Sequence, residues 1–227
     1  MKNAYAKGVD IHSMTATAIC GKTEKQMSKE EWEVARYHAK AINFCMLFGG
    51  GPPTVKRYAK KTYKVDMEIE QAEEAVENFR EMYAESREWQ LEHTSECEMS
   101  LEVRTPLGKL RKLNPDTYYT VCLNTPIQGG AAEIMLLSMI NVYKSIRKSG
   151  IDAHISNVVH DEILVDCHID SVEEMATYIK DGMEKALLAV FPEASLTGLV
   201  DVGIGKNWAE AKSKENRIDL WLKKEER

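Results

Sequence analysis

The chain has 227 residues, 44% of them hydrophobic and 29% charged, with a formal net charge of −6. That is the composition of a soluble globular protein, and the length suits one large domain or two small ones. No apolar run approaches the ~18 residues of a membrane span, and Met1-Lys2-Asn3-Ala4-Tyr5 leads into no signal-peptide core, so no membrane partner is expected and the expected location is cytoplasmic.

Along the chain, Ser28 with Glu31 three residues later matches a capping box and predicts a helix over 28–48. Gly49-Gly50-Gly51-Pro52-Pro53 stops it, because glycine suits the C-cap and proline cannot continue a helix. Within this helix Arg36, Lys40, Phe44 and Phe48 are spaced four apart and share one face. Two phosphate-binding cations at one end and two flat stacking surfaces at the other match a nucleoside triphosphate. The same stretch also reads as an amphipathic core helix with exposed cations. Ile42, Met46 and Leu47 look like core, whereas Asn43-Phe44 and the glycine run are not needed for packing.

Residues 54–98 read as two or three helices, the longest acidic and rich in helix formers. A basic cluster, Lys56, Arg57, Lys60, Lys61 and Lys64, precedes the acidic stretch 68–98. A turn at Thr105-Pro106-Leu107-Gly108 predicts a hairpin over 101–113, carrying Arg104, Lys109, Arg111 and Lys112. These clusters are either a basic groove hidden by the negative average or solvated faces. Thr125-Pro126 reads as N-cap and first residue of a long helix that Ser149-Gly150 ends. Strands are expected over 151–159 and 163–167, holding His160-Asp161-Glu162 at a tight hairpin tip. Two carboxylates there suit Mg²⁺, which takes one or two protein carboxylates and fills its shell with water and phosphate; a solvated turn is the plainer reading. A second capping box, Ser171 and Glu174, predicts a helix to about 190. A last strand follows at 199–204, then a charged tail, 213–227, as a surface helix or frayed end. Cys20, Cys45, Cys97, Cys122 and Cys167 are scattered and odd in number, and read as reduced thiols.

The pattern Arg36-x-x-x-Lys40-x-x-Asn43-Phe44-x-x-x-Phe48-Gly49 resembles the fingers helix of family A DNA polymerases, the bacterial DNA polymerase I family. Three further stretches match in order: Asp10-Ile11-His12, Pro126-Ile127-Gln128-Gly129-Gly130-Ala131-Ala132 at the start of a long palm helix, and Val159-His160-Asp161-Glu162 as the third catalytic motif. Val202-Gly203-Ile204-Gly205-Lys206-Asn207-Trp208 resembles the family's C-terminal strand. Ordered motifs weigh far more than any one alone. The resemblance implies an α+β fold, helical fingers on a partial antiparallel palm sheet. It implies a palm-to-fingers segment at 1–23, fingers at 24–100, palm at 101–212 and the tail at 213–227. It also implies roles. His12, Arg36 and Lys40 hold the triphosphate of the incoming deoxynucleotide, with Lys40 also catalytic at the leaving pyrophosphate. Phe44 packs on sugar and base, and Phe48 stacks near the templating position, where the family usually has Tyr. Gln128, Arg111 and Asn124 contact DNA. His160 sits at the primer terminus, and Asp161 with Glu162 ligates Mg²⁺.

In the family, two Mg²⁺ ions are shared by two aspartates from different strands. The first lies in an Asp-Tyr-Ser-Gln-like strand well upstream of Asp-Ile-His, and only nine residues precede Asp10. Asp10 matches the segment leading to His12, not that strand. The resemblance therefore implies a DNA-directed DNA polymerase, a nucleotidyltransferase inactive as an isolated chain. It would work on primer-template DNA and deoxynucleoside triphosphates with an N-terminal polymerase chain carrying the thumb and first aspartate, a split form known from some phage genomes. In that case its location is the host cytoplasm. The alternative is a truncated, inactive remnant that binds DNA or nucleotide. A helical protein with chance matches is disfavoured by the motif order.

Overall fold

The computed structural model of the chain describes residues 9–63 and 66–217. The fold is α+β and divides into two compact units, Met1–Ile127 and Gln128–Arg227. Among the described residues no helix is long and apolar enough to cross a membrane.

The first unit opens with α1 (Ile11–Cys20) and a short 3₁₀ turn, followed by α2 (Lys29–Leu47), α3 (Pro52–Tyr63), α4 (Ile69–Met82) and α5 (Ala84–Ser100). Helix α1 has no counterpart among the elements read from sequence. Its Thr and Ser residues are poor helix formers: Thr17 donates its hydroxyl to the carbonyl of Ser13, and the Thr15 hydroxyl oxygen lies 3.0 Å from the carbonyl oxygen of Ile11. It forms because Asp10 caps it, accepting from the N–H groups of His12 and Ser13, and because it packs on α2: Ala16 fits among Trp32, Ala35 and Ala39. The main core joins Ile11 of α1, Ile42 and Met46 of α2, Val55 of α3 and Ala72, Val76 and Phe79 of α4.

Helix α2 starts as its capping box predicts: Ser28 N–H donates to Glu31 Oε2 at 2.9 Å and Glu31 N–H to Ser28 Oγ at 3.3 Å. At its end Gly49 takes φ +76°, and a Cβ there would lie 2.6 Å from both Leu123 and Tyr119, so only glycine fits. Buried Gln90 of α5 donates Nε2–H to the carbonyls of Met46 (2.8 Å) and Leu47 (3.3 Å) at the helix C-terminus, where Met46 O also accepts from Gly49 N–H at 3.1 Å.

Strands β1 (Glu102–Arg104) and β2 (Leu110–Lys112) form the expected hairpin, with Val103 opposite Arg111. Helix α6 (Tyr118–Ser149) follows. It does not begin at Thr125-Pro126; Pro126 lies inside it. Proline has no N–H for the carbonyl four residues back, that of Cys122. His93 Nε2 replaces it, donating to Cys122 O at 3.2 Å. A tertiary donor thus lets the helix run through a residue that reads from sequence as a start.

The second unit holds the rest of α6, then β3 (Ala153–Val159), β4 (Glu162–Cys167), α7 (Val172–Val190) and α8 (Trp208–Ala211). β3 and β4 pair antiparallel from Ala153↔Cys167 to Val159↔Glu162, with a bulge between Ile155 and Asn157. Ala153, Ile155, Ile163, Val165 and Cys167 pack on Val142, Ile146 and Met175. Helices α6 and α7 approach closely at Gly182, whose carbonyl accepts from Asn141 Nδ2 at 3.0 Å. The second capping box does not form. A 3₁₀ turn at Ile169–Ser171 precedes α7, Ser171 (φ −107°, ψ 4°) makes no cap bond, and Glu174 accepts from Tyr178 instead. Nor is 199–204 a strand: Gly203 makes one bridge to Arg217 while Gly203 and Gly205 lie against Ala211. Of the charged tail, Lys214–Asn216 is a 3₁₀ turn; 218–227 lie outside the described residues.

Candidate functional site

Four-residue spacing on α2 places Arg36, Lys40 and Phe44 on one partly exposed face, while Ala35, Ala39, Ile42 and Met46 are buried. Phe48 is the C-cap residue, half-buried. Phe44 is 39% exposed, much for an aromatic ring on a helix that packs on three others, and it leaves an open stacking surface. Lys40 Nζ lies 5.9 Å from its ring centroid and His12 lies 5.9 Å from it, centroid to centroid, at 37°. The face therefore carries His12, Arg36, Lys40 and Phe44 together.

Asp10 joins this group. Its Oδ2 accepts from Arg36 Nε at 2.7 Å and from Ser13 Oγ at 2.7 Å. Burial works to raise the Asp10 carboxyl, but the bonds from Arg36 and Ser13 outweigh it and hold it at about 2. Among the described residues only Nε of Arg36 is used, and the two amino groups of the guanidinium form a fork suited to phosphate oxygens. Burial lowers His12; Asp10 raises it, and Arg36 and Lys40 lower it further. Behind His12 runs a buried polar chain. Asn43 Nδ2 lies 2.9 Å from His12 Nδ1, Asn43 Oδ1 is 2.9 Å from Thr15 Oγ1, and Thr15 Oγ1 is 3.1 Å from Tyr83 OH. Asn43 is 2% exposed, so it belongs to the core after all, as the polar end of it. Thr15 and Tyr83 are functional candidates that sequence pattern does not single out, whereas Asp10 and Asn43 stand in the motifs quoted above without an assigned role. The signal for Asp10 is its place before a helix start; Thr15 and Tyr83 lie 68 residues apart and carry none.

The basic clusters are partly neutralised. Lys56 pairs with Glu68 (3.4 Å), Lys60 with Asp66 (2.9 Å), and Lys112 with Glu102. Lys64 lies outside the described residues. Arg104 donates to the Gly108 carbonyl at 3.0 Å, whereas Arg111 on β2 is exposed and has no partner among the described residues. Asn124 is half-buried and Gln128 exposed on α6.

In the second unit the Val159↔Glu162 pair leaves a two-residue tip, His160-Asp161. His160 adopts φ +54°, a left-handed conformation that non-glycine residues take at a cost and that clusters at functional sites. Both tip residues are exposed, and Asp161 has no partner among the described residues. Glu162 differs: Oε1 is 3.0 Å from Lys212 Nζ and Oε2 accepts from Trp208 Nε1 at 3.3 Å, while Lys212 lies over the Trp208 ring at 4.8 Å. Sequence pattern gives no hint of this clasp. No group of three or more His, Cys, Asp or Glu side chains able to hold a metal occurs among the described residues. The donor set fits a cation that needs one protein carboxylate, Asp161, and takes its other ligands from water and phosphate.

Comparison with known proteins agrees with this geometry. The fold is that of a polymerase domain: the POL domain of Pol1 from M. smegmatis, in complex with DNA primer-template and dNTP, matches with a TM-score of 0.71 at 23% identity, over 81% of this chain and 32% of that one. The family model for DNA polymerase family A matches residues 1–210, and the chain belongs to that family, as part of its fingers and palm region. DNA polymerase I of Aquifex aeolicus (strain VF5) is 32% identical over 212 residues, 92% of this chain and 35% of that protein. The thermostable DNA polymerase I of Thermus filiformis is 28% identical over 222 residues, 93% of this chain and 24% of that protein. The chain thus spans about a third or less of the length of these relatives.

Proposed function

We propose that the chain is the C-terminal fingers and palm portion of a template-directed DNA polymerase, adding deoxynucleotides to a primer 3′-hydroxyl. The observation that carries this is the α2 face, where Arg36, Lys40 and Phe44 stand four residues apart beside His12. The primer 3′-hydroxyl gives up its proton to water, its oxygen bonds to the α-phosphorus, and the bond from that phosphorus to the bridging oxygen breaks, so that pyrophosphate leaves with the electron pair. Arg36 and Lys40 offset charge on the leaving group, His12 donates to it, and Phe44 packs on the sugar and base. Phe48 stacks at the templating position. Gln128, Asn124 and Arg111 contact the DNA, and His160 meets the primer end.

Asp161 would hold Mg²⁺, which when bound would supply neutralisation of the phosphate charge and lower the pKa of the attacking hydroxyl. Glu162 acts beside it, and reaching a metal requires exchange of Lys212. The first catalytic aspartate and the thumb come from an N-terminal polymerase chain. Support for that comes from a catalytic hairpin that forms a sheet of only two strands among the described residues. The engaged Glu162 carboxylate favours a second reading, an inactive remnant that binds DNA or nucleotide. Primer extension in Mg²⁺, after mixing with a family A segment that carries the first aspartate and thumb, separates the two. The polymerase reading expects extension that Asp161→Ala abolishes; binding without extension in every mixture supports the remnant.

A further inference from the structure

We infer that Asn43 is a positioning residue that fixes the His12 imidazole in the neutral tautomer protonated on Nε2, giving the site one uncharged N–H donor for a phosphate oxygen. The ligand half of this inference rests on the nucleotide reading above; the tautomer half does not.

Asn43 lies on the buried side of α2, between Lys40 and Phe44 in sequence but turned away from their face. Its amide has an acceptor end and a donor end, and both meet polar atoms. Thr15 Oγ1 has a single proton and three neighbours: Ile11 O at 3.0 Å, Asn43 Oδ1 at 2.9 Å and Tyr83 OH at 3.1 Å. The Ile11 carbonyl is a helix acceptor served by the backbone N–H one turn later, so the hydroxyl proton is available to Asn43 Oδ1. The Tyr83 hydroxyl can donate to the Thr15 oxygen in turn. With its carbonyl so engaged, Asn43 presents Nδ2–H to His12 Nδ1 at 2.9 Å. A nitrogen that accepts this bond carries no proton, so the ring proton sits on Nε2.

Burial and the charged neighbours bear on the protonation state that the Asn43 bond requires. Arg36 and Lys40 face the ring from α2 and Asp10 from the start of its own helix. Burial and the two cations disfavour imidazolium, and Asp10, tied to Arg36, only partly opposes them. Among the described residues Nε2 has no hydrogen-bond partner, so its N–H is available to a ligand. Division of labour follows: Arg36 and Lys40 supply charge, and His12 supplies direction. The ring cannot turn over without breaking the Asn43 bond.

The test is imidazole ¹⁵N NMR on the full chain at neutral pH, with the His12 signals assigned by their loss in His12→Gln. The inference expects a proton-bearing Nε2 and a bare Nδ1 in the wild type. It expects Asn43→Leu and Thr15→Val to collapse this to a mixture of tautomers. Asn43→Asp, which replaces the donor with an acceptor, moves the proton to Nδ1 and raises the His12 titration midpoint. A proton on Nδ1 in the wild type, an imidazolium, or a tautomer unchanged in Thr15→Val overturns the inference. If Asn43→Leu fails to fold, the wild-type spectrum and Thr15→Val still decide it. Inorganic tripolyphosphate is then added. A selective shift of the Nε2 signal supports the ligand half. No shift overturns that half and the triphosphate reading of the site, while the tautomer stands or falls on the unliganded spectra.

Discussion

Arg36 gives its Nε–H to Asp10 at 2.7 Å with both side chains 39% exposed. An ion pair that open to water contributes no more than about 1 kcal/mol to folding, whereas a charge-assisted bond to a phosphate is worth ~1.5–3 kcal/mol. Arg36→Ala should therefore leave the denaturation midpoint almost unchanged and weaken deoxynucleoside triphosphate binding by about 10- to 100-fold, read by calorimetric titration. Asp10 behaves differently, since it also caps α1. Asp10→Asn keeps the cap and loses the ion pair; Asp10→Ala loses both and should cost ~0.5–2 kcal/mol in urea unfolding. Acid titrates this pair. A carboxyl held at about 2 against an ordinary 3.8 contributes stability that is complete above the higher value and lost as pH falls towards the lower. That acid-labile component should be present in wild type and missing in Asp10→Asn. At this scale the sequence shows the spacing of Arg36, Lys40 and Phe44, because helical periodicity is local. It does not show Asn43 bonded to His12, because that needs α1 packed on α2, and Asn43 reads from pattern as free of the core.

Helix α2 was legible at both ends because its signals, Ser28 with Glu31 and Gly49 with Pro52, act within a turn of the backbone they cap. The same kind of signal misleads at Ser171, where a preceding 3₁₀ turn takes the cap position, and at Pro126, where His93 stands in for the missing N–H. The second case is testable as a double-mutant cycle. His93→Phe leaves the buried Cys122 carbonyl unpaired and should cost ~1–3 kcal/mol. In a Pro126→Ala background the new N–H serves that carbonyl, and the cost of His93→Phe should fall by about 1 kcal/mol, read from chemical denaturation midpoints. The hairpin β3–β4 was legible from two short apolar runs flanking His160-Asp161-Glu162, while the clasp of Lys212 and Trp208 on Glu162 joins residues 46 or more apart and leaves no periodic trace. Lys212→Ala should release Glu162. If Glu162 acts with Asp161, the variant should lower the Mg²⁺ concentration needed for half-maximal extension in the complemented enzyme.

Each of the two units has its own core, one around Ile42, Val55 and Val76, the other around Val142 and Met175. In the second unit Leu136, Ile140 and Tyr143 stand exposed at four- and three-residue spacing along α6, one apolar stripe of a helix. Exposed apolar stripes and unpaired sheet edges are sites of association, in keeping with a polypeptide that completes the palm. Fold class and order of motifs were legible in the sequence because each motif is a local device. The most direct measurement is primer extension by the chain mixed with a family A segment bearing the first aspartate and thumb. It should be run with Mg²⁺ and all four deoxynucleoside triphosphates, beside each component alone and beside Asp161→Ala. The expected result is template-directed extension only in the wild-type mixture, lost at least 1,000-fold, on the order of a missing catalytic metal ligand, with Asp161→Ala. Extension undiminished by Asp161→Ala, or none in any mixture that shows DNA and nucleotide bound, would contradict it.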